Sequence, residues 1–546
     1  MLRLALATAL CCAPALAQLG PMQPPAQNPQ TPEKIILGKF LFWEEQLSSD
    51  NTVACGTCHL PEFGGTDGRT PLPLHPGADS TFGTADDIHG SAGVVRQDPS
   101  GNFLPSPIFG LDRQVTRRTS PSNLGAGHHA DLFWDLRARG TFIDPQSGQV
   151  LIPFNGQLES QAVGPIMSPI EMGHVGRTWQ DVTSKLQNAE PMKLASNLTP
   201  DMVAELQQNA DYPAMFAAAF GDPAITAARI AFALASYQRT LNPDQTKWDA
   251  FMAGNPAAMS NYELQGWTLF NNQANCHACH WTPFFSDDLP HNLGLRPIAE
   301  DIGAFLSTND PFDRGGFKTP SLRNAGLKPR LFHNGQSLSL GDPGQLTDPA
   351  STLQIYLQGG GVDLSNLDPF MLPLINLGIT VNDLVVVQDF IITALVDPRA
   401  ANRQPPFDHP DLRSMAIAPP RVFGNGLAGS SEPFLVDTAP PFLGNLAYRL
   451  GLAGGDGAGL AVLTYGFQSF EPGLNFGGLP WNVQVHDWLP VALSGPPGRP
   501  GHATLHLPIP DVPSLALLPL YWQLFVDDPQ APNGIAASPG WEFVLF

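Results

Sequence analysis

Two short segments of the chain contain the side chains best suited to chemistry. Residues 55–59 (CGTCH) and 276–280 (CHACH) both follow the pattern Cys-x-x-Cys-His. Two thiols at this spacing can form thioether bonds to both vinyl groups of one haem, and the adjacent histidine then lies under the iron as its ligand. We therefore predict two covalently bound haem c groups, with His59 and His280 as iron ligands. The cysteines that would attach them are Cys55, Cys58, Cys276 and Cys279.

The first 17 residues, MLRLALATALCCAPALA, have the composition of a secretory signal. Arg3 supplies a positive start, an apolar run follows, and Ala15 and Ala17 form a small-residue cleavage site before Gln18. This predicts a periplasmic or secreted protein. Removal of the signal leaves four of the six cysteines, all within the two motifs, so none remains for a disulfide. This cysteine count favours haem attachment as the role of both motifs over a redox dithiol or half of a zinc site.

Composition limits the classes of partner. The chain has 546 residues, which is more than one ordinary domain holds. Its net charge of −21 argues against a nucleic-acid partner, since phosphate binding needs a basic surface. No stretch after the signal reaches about 18 apolar residues, so we predict no membrane insertion. The 56 prolines and 53 glycines predict long loops around compact cores.

Helix signals precede both motifs. Ser260 and Glu263 have the spacing of a capping box, which predicts a helix over 262–270 that delivers Cys276. The largely apolar run at 35–42, IILGKFLF, predicts a similar short helix ahead of the first motif. Each pair of cysteines is therefore expected to follow a short helix.

Several longer segments carry a resemblance to a known family. LGKFLFWEEQLSSDNTVACGTCH (37–59), SQAVGPIMSPIEMG (160–173) and FKTPSLRNAGLKPRLFHNG (317–335) occur in the order that this family has. Over roughly residues 30–400 the chain resembles the bacterial di-haem cytochrome c peroxidases, which include the MauG-type enzymes. The resemblance implies a mainly α fold of two cytochrome c-like domains with long loops, and a peroxide-dependent oxidoreductase.

The resemblance also implies roles for particular residues. The family has a distal glutamine and a glutamate ten positions later, with a proline four after the glutamine, and Gln161, Pro165 and Glu171 have this spacing. Glu171 would be the general acid–base at the first haem, and Gln161 would orient the peroxide. Trp134, within FWDLRA, would relay electrons between the haems. Without the family pattern, Glu171 would be a capping or exposed residue and Trp134 would be core packing.

Further iron ligands follow from the same resemblance. The second haem would have a sixth ligand, which is a methionine in classical peroxidases and a tyrosine in MauG-type enzymes. Tyr356 occupies the corresponding position, and Met371 or no ligand are the alternatives. Classical members also block the first iron with a histidine shortly after the first motif. His75 and His89 lie at suitable range, and an ordinary loop histidine is the alternative reading of each.

A calcium ion between the haem domains is implied as well, held by an asparagine and two backbone carbonyls. This chain departs from that pattern. Thr119 replaces the asparagine, and Lys328 and Arg330 stand at the carbonyl positions. A lysine near the site could replace the cation by its charge. Calcium is therefore a doubtful cofactor here.

The amino-acid composition of the chain changes from about residue 399. A Pro-rich stretch is followed by short apolar runs broken by Gly and Pro, which predict an all-β, sandwich or jelly-roll-like domain. Attachment, substrate docking or oligomerisation would suit such a domain, and the oligomeric state stays open. The predicted organisation is a signal peptide (1–17), a first cytochrome c-like domain with the peroxidatic haem (18–245), a second with the electron-transfer haem (246–398), a linker (399–415) and a β domain (416–546).

Three functions are compatible with these patterns. The predicted one is a peroxidase that reduces hydrogen peroxide at the first haem, while the second haem supplies or stores electrons from a small cytochrome c or cupredoxin. A MauG-like enzyme that oxidises side chains of a partner protein is the first alternative. The second is a non-enzymatic di-haem electron-transfer protein, against which Gln161 and Glu171 argue.

Overall fold

The computed structural model describes residues 19–416, 420–437 and 440–546. The predicted signal peptide and its cleavage point lie outside these residues. Within the described ranges, no helix is both long enough and apolar enough to cross a membrane.

The region that carries the first motif is formed mainly by helices. They are α1 (Pro32–Trp43), α2 (Cys55–Cys58), α3 (Gln157–Met167), α4 (Trp179–Asn188), α5 (Pro200–Gln208), α6 (Tyr212–Phe220) and α7 (Ala227–Gln238). α1 begins after Thr31, whose hydroxyl accepts a hydrogen bond from the Lys34 amide. Gly38 brings α1 against α7, because a Cβ there would lie 2.0 Å from the Ala233 carbonyl oxygen. The short helix expected at 35–42 is therefore part of a longer one.

Short antiparallel strand pairs connect these helices. They are β1 (Leu74–His75) with β2 (Ile88–His89), β3 (Ala92–Val95) with β4 (Arg113–Val115), and β5 (Phe142–Ile143) with β6 (Val150–Ile152). β7 (Ala195–Ser196) pairs with β12 (Asp411–Leu412), which is followed by α14 (Arg413–Ala416). The stretch predicted as a linker therefore lies against the first region over part of its length.

The region of the second motif is also formed by helices and short strands. Its helices are α8 (Lys247–Met252), α9 (Asn261–Asn271), α10 (Phe305–Thr308), α11 (Thr352–Gln358), α12 (Val381–Asp389) and α13 (Pro398–Ala401), and its strands are β8 (Pro290–His291), β9 (Phe317–Lys318), β10 (Arg330–Leu331) and β11 (Ser337–Leu338). The capping box of Ser260 and Glu263 starts α9 as predicted. Gly266 lets α9 approach α12, since a Cβ there would meet the Val386 carbonyl at 2.4 Å.

Residues 420–546, here called the β module, form two packed antiparallel sheets with a separate hairpin. The strands are β13 (Arg421–Phe423), β14 (Phe434–Asp437), β15 (Arg449–Gly454), β16 (Gly459–Gly466), β17 (Ser469–Phe476), β18 (Leu479–Val483), β19 (Asp487–Leu493), β20 (Gly501–His506), β21 (Pro519–Asp527), β22 (Ile535–Ala537) and β23 (Gly540–Val544). One sheet has the order β13-β23-β21-β16-β19, with β22 on β21, and the other has the order β14-β15-β20. Leu450 and Leu452 of the smaller sheet share one buried core with Leu463 and Leu524 of the larger. The predicted β-rich C-terminal region is confirmed.

The expectation of a mainly α fold is not confirmed. Only 28% of the described residues are helical. Long proline- and glycine-rich connections in both haem regions, together with the β module, account for the difference.

Candidate functional site

A cavity of about 730 Å³ opens beside the first motif, within the size range of small-molecule sites. Its wall includes the motif residues and the residues expected on the opposite side of the haem. The structure therefore brings together side chains from three separate parts of the first 171 residues. They are Cys55, Cys58, His59, Trp134, Gln161, Pro165 and Glu171.

His59 is oriented as an iron ligand would be. Its Nδ1 lies 3.0 Å from the Gly65 carbonyl oxygen, which fixes the proton on that nitrogen and leaves Nε2 unprotonated. Burial lowers the pKa of the imidazole, so the ring is neutral and available to a metal. Gly56 allows the motif to turn against α1, because a Cβ there would lie 2.2 Å from the Trp43 ring.

The thiols of the motifs do not have the properties of a redox dithiol. A reactive dithiol needs a lowered thiol pKa. Here burial raises the pKa of Cys55, Cys58 and Cys276 to about 12. All four motif cysteines are unpaired. Two neutral thiols with an oriented histidine at the wall of a large cavity fit a haem c group.

Gln161 and Pro165 lie one turn apart on α3, and Glu171 follows in the tight turn after this helix. The turn is closed by hydrogen bonds from the Glu171 and Met172 amides to the Ser168 carbonyl oxygen, at 3.2 and 3.1 Å. Burial raises the pKa of the Glu171 carboxyl, while a hydrogen bond with Ser168 and the charge of Arg137 oppose the shift. A carboxyl with a raised pKa is suited to the role of a general acid–base.

A second cavity, of about 210 Å³, lies beside the second motif. His280 repeats the geometry of the first motif, with Nδ1 2.9 Å from the Phe285 carbonyl oxygen, and burial lowers its pKa to about 4. Tyr356 on α11 and Met371 both lie in the wall of this cavity. Burial raises the pKa of the Tyr356 phenol. Tyr356 and Met371, the two candidates for the sixth ligand, therefore both lie close to the second motif.

Trp134 forms part of the wall of both cavities. Its indole Nε1 donates a hydrogen bond of 2.8 Å to the Thr119 carbonyl oxygen, and its own carbonyl accepts one of 2.9 Å from the Lys318 amide. The first bond orients the ring between the two sites, and the second holds the backbone of the same residue. Lys318 and Asp301 also line both cavities.

His75 does not reach the first cavity. It is buried in β1 with its ring against Phe109, at 5.6 Å between centroids, and it is absent from the residues lining either described cavity. His89 lies on the paired strand β2, opposite Leu74. The pairing of β1 with β2 holds both histidines in this hairpin, so the structure does not bring His75 together with His59.

The positions expected to hold calcium do not fit that ion. The Thr119 hydroxyl donates to the His89 carbonyl oxygen, and Arg330 donates to the Gly335 carbonyl oxygen. Lys328 is buried at the wall of the second cavity, and burial lowers its pKa to about 8. A buried lysine repels a divalent cation, since calcium is bound by carboxylate, carbonyl and water oxygens.

Sequence reasoning missed the charged residues in the wall between the cavities. Arg118 bridges two carboxylates, at 2.7 Å from Asp135 and 2.7 Å from Asp301. Asp135 lies within the FWDLRA segment, which could have pointed to it as a site residue. Asp301 comes from a distant loop with no recognisable sequence pattern.

A second missed cluster lies beside the second motif. His291 is hydrogen-bonded to Asp287 at 2.7 Å and to Asp368 at 2.6 Å. Burial alone would lower its pKa, but hydrogen bonds with Asp287, Cys279 and Asp368, together with the charge of Cys279, raise it to about 11. Cys279, Asp287 and His291 offer atoms within 4.8 Å of one another, as metal ligands would. The D-x-x-x-H spacing of Asp287 and His291 can be read from the sequence. Nothing in the sequence indicates that Asp368 is the second partner of His291.

Two cavities, each with a Cys-x-x-Cys-His motif in its wall and a shared tryptophan between them, are typical of a c-type haem protein with paired sites. Comparison with known proteins is consistent with this class. The family model for di-haem cytochrome c peroxidase matches residues 32–257. The chain belongs to the di-haem cytochrome c peroxidase family, whose members include MauG, so the predicted enzyme class, a peroxide-using oxidoreductase, is confirmed.

Three similar proteins show the degree of likeness. The methylamine utilization protein MauG of Methylophilus methylotrophus is 32% identical over 313 residues, which are 57% of this chain and 71% of that protein. The cytochrome c551 peroxidase of Nitrosomonas europaea is 26% identical over 345 residues, covering 62% of this chain and 80% of that protein. The crystal structure of a MauG-like protein associated with microbial copper homeostasis is 25% identical, with a TM-score of 0.49 over 71% of this chain and 96% of that one.

Proposed function

We propose that the protein reduces hydrogen peroxide to water in the first cavity, with electrons that arrive through the second. Two covalently bound haem c groups would be held through the motif cysteines, with His59 and His280 as ligands. The observation that carries the proposal is the position of Glu171 and Gln161 in the same cavity as the first motif. A purely electron-transferring protein has no need of a half-buried carboxyl in that cavity.

The haem in the first cavity would supply the iron that binds peroxide and the redox chemistry of the reaction. Gln161 orients the peroxide by donating a hydrogen bond from its side-chain amide. The Glu171 carboxylate accepts a proton from one peroxide oxygen and returns it to the other, which leaves as water when the O–O bond breaks. Two electrons and two protons complete the reduction of one peroxide to two waters.

Electrons reach the first cavity past Trp134. Trp134 lines both cavities, and hydrogen bonds hold its indole and its backbone to two separate segments, so it is a suitable relay. Tyr356 is the preferred sixth ligand in the second cavity, and Met371 is the alternative. We expect the second site to be closed to peroxide and to exchange electrons only.

A periplasmic or secreted location follows from the predicted signal peptide. In that compartment a small cytochrome c or a cupredoxin is the expected electron donor. The organisation proposed for the mature chain is a peroxidatic domain (18–245), an electron-transfer domain (246–398), a linker (399–415) and the β domain.

A second candidate function is oxidation of side chains on a partner protein. Two observations favour it: the 32% identity to MauG and the tyrosine in the second cavity. A tyrosine ligand favours higher oxidation states of iron than a methionine does. The partner protein would then replace the small electron donor as the source of electrons.

Steady-state turnover with hydrogen peroxide and a reduced cytochrome c tests the proposal. We expect the haem-loaded wild type to oxidise the cytochrome, and Glu171→Gln to lose about 10²- to 10⁴-fold in rate, which is the usual contribution of a general acid–base. Glu190→Gln is the matched control, because that side chain is 68% exposed. Undiminished turnover by Glu171→Gln would contradict the assigned role. Peroxide consumption without cytochrome oxidation would favour the second candidate.

A further inference from the structure

Strand β3 packs against the turn that carries Glu171. The Val94 amide donates a hydrogen bond of 3.2 Å to the Glu171 carbonyl oxygen. At Gly93 the strand and the Glu171 turn are in contact through backbone alone, because a Cβ there would lie 1.9 Å from the Ile170 carbonyl oxygen. Any displacement of β3 must therefore displace the backbone that carries the Glu171 carboxyl.

Strand β3 is in turn held by β4 and by Arg113. β3 and β4 pair through Ala92 with Val115 and through Val95 with Arg113. The Arg113 guanidinium donates to the Gly93 carbonyl oxygen at 2.8 Å and to the Thr52 hydroxyl at 3.0 Å. The position of Arg113 and of the β3–β4 connection therefore decides where β3 lies.

The β3–β4 connection is docked on the β module. Phe103, which is 2% exposed, lies against Gly451 of β15, where a Cβ would come within 2.8 Å of the ring. The Phe103 amide donates a hydrogen bond of 2.8 Å to the Thr504 hydroxyl of β20. Val95, at the end of β3, shares a buried apolar cluster with Phe103 and with Ala453 of β15.

The β module also contributes a buried carboxyl next to Arg113. Asp437, at the end of β14, is hydrogen-bonded to Tyr448, and the charge of Arg113 acts on it. Burial raises the pKa of Asp437 to about 8, against the effect of Arg113. The same guanidinium that holds Gly93 is therefore in electrostatic contact with the module.

We propose that the β module is a positioning part of the peroxide site. It fixes the Glu171 backbone through Phe103, the β3–β4 connection and Gly93. Loosening of this contact moves the Glu171 carboxyl relative to the peroxide, and a shift of about 1 Å in a reacting group can cost on the order of 10²-fold in rate. The proposal rests on the proposed function only in assigning proton transfer to Glu171.

Two substitutions loosen the contact from opposite sides. Gly451→Val inserts a side chain where Phe103 lies, and Phe103→Ala removes the ring that fills this space. Gly459→Val is the matched control for the first, because Gly459 is also in a strand of the module, but a Cβ there would lie 3.7 Å from its nearest neighbour, the Asp527 carbonyl oxygen. Phe82→Ala is the control for the second, because Phe82 is 51% exposed. Thr504→Val is a milder variant should either of the first two fail to fold.

Two measurements on the full haem-loaded chain decide the question. Hydrogen–deuterium exchange reports the protection of 92–97 and 168–175, and stopped-flow mixing with peroxide reports the reaction at the first haem. We expect Gly451→Val and Phe103→Ala to exchange hydrogen faster in both segments. We also expect their reaction with peroxide to be at least about tenfold slower than that of the wild type. The spectrum of the second haem should not change, and both controls should behave as wild type.

Other results would overturn the proposal in distinguishable ways. Unchanged exchange in 92–97 and 168–175 would mean that the module does not hold β3. Faster exchange with an unchanged peroxide rate would mean that the held segment does not position Glu171. A wild type without any reaction with peroxide would contradict the proposed function instead, while the exchange data would still report whether the module fixes the Glu171 turn.

Discussion

The Trp134 indole donates its hydrogen to the Thr119 carbonyl oxygen at 2.8 Å, and the ring lies in the wall of both cavities. Thr119 is held in place as well: its amide donates to the His333 carbonyl oxygen at 2.7 Å and its hydroxyl to the His89 carbonyl oxygen at 3.1 Å. Both regions therefore contribute to the orientation of one aromatic ring between the two motifs.

Trp134→Phe should slow electron transfer between the sites and leave peroxide binding intact. Phenylalanine is harder to oxidise than tryptophan and lacks the bond to Thr119. We expect turnover with a reduced cytochrome to fall by about tenfold or more, which corresponds to roughly 1.4 kcal/mol in the barrier. Stopped-flow mixing of peroxide with the same variant should give an unchanged rate for the first haem. Trp281→Phe is the control, since that ring is 55% exposed. Unchanged turnover would assign the relay to another path.

The pH dependence of the peroxide reaction should follow Glu171. The ionised carboxylate is the form that accepts the proton, and burial holds its pKa above the ordinary value of 4.5. The rate should therefore fall as the pH is lowered through that raised pKa. Glu171→Gln should have no such limb, whereas Glu190→Gln should keep it. A wild-type rate that stays constant down to pH 4.5 would contradict this assignment.

Tyr356→Phe should change the low-spin electron paramagnetic resonance signal of the second haem. Met371→Leu should leave that signal unchanged. The two residues line the same cavity, so each variant serves as the control for the other. A signal altered only by Met371→Leu would make methionine the ligand and would favour a classical peroxidase.

Calcium chelation should have no effect on turnover or on the haem spectra. Lys328 is buried where a calcium site was implied, and a fixed positive charge there opposes binding of a divalent ion. Dialysis against a chelator, followed by addition of calcium, measures this directly. Loss of activity that calcium restores would show that the ion is held elsewhere.

The two motifs, the helices that precede them and the β-rich C-terminal region could be predicted from sequence, because each depends on local spacing. The pairing of Gln161 and Glu171 with the first motif came only from the family pattern, since nothing local brings residues a hundred positions apart together. His75 does not line the described cavities, because a two-residue strand, β1, holds it in a hairpin with β2, and no sequence signal marked this pairing. The contact between Phe103 and Gly451 had no sequence signal, because it joins residues separated by almost 350 positions and depends on the docking of whole elements.

The most direct test of the central claim is the spin state of the two haems in the half-reduced protein, followed by addition of one equivalent of peroxide. We expect one low-spin haem, assigned to His280, and one haem with an open position at His59 that reacts rapidly with peroxide. Two haems that both stay low-spin after partial reduction, and do not react with peroxide, would contradict it.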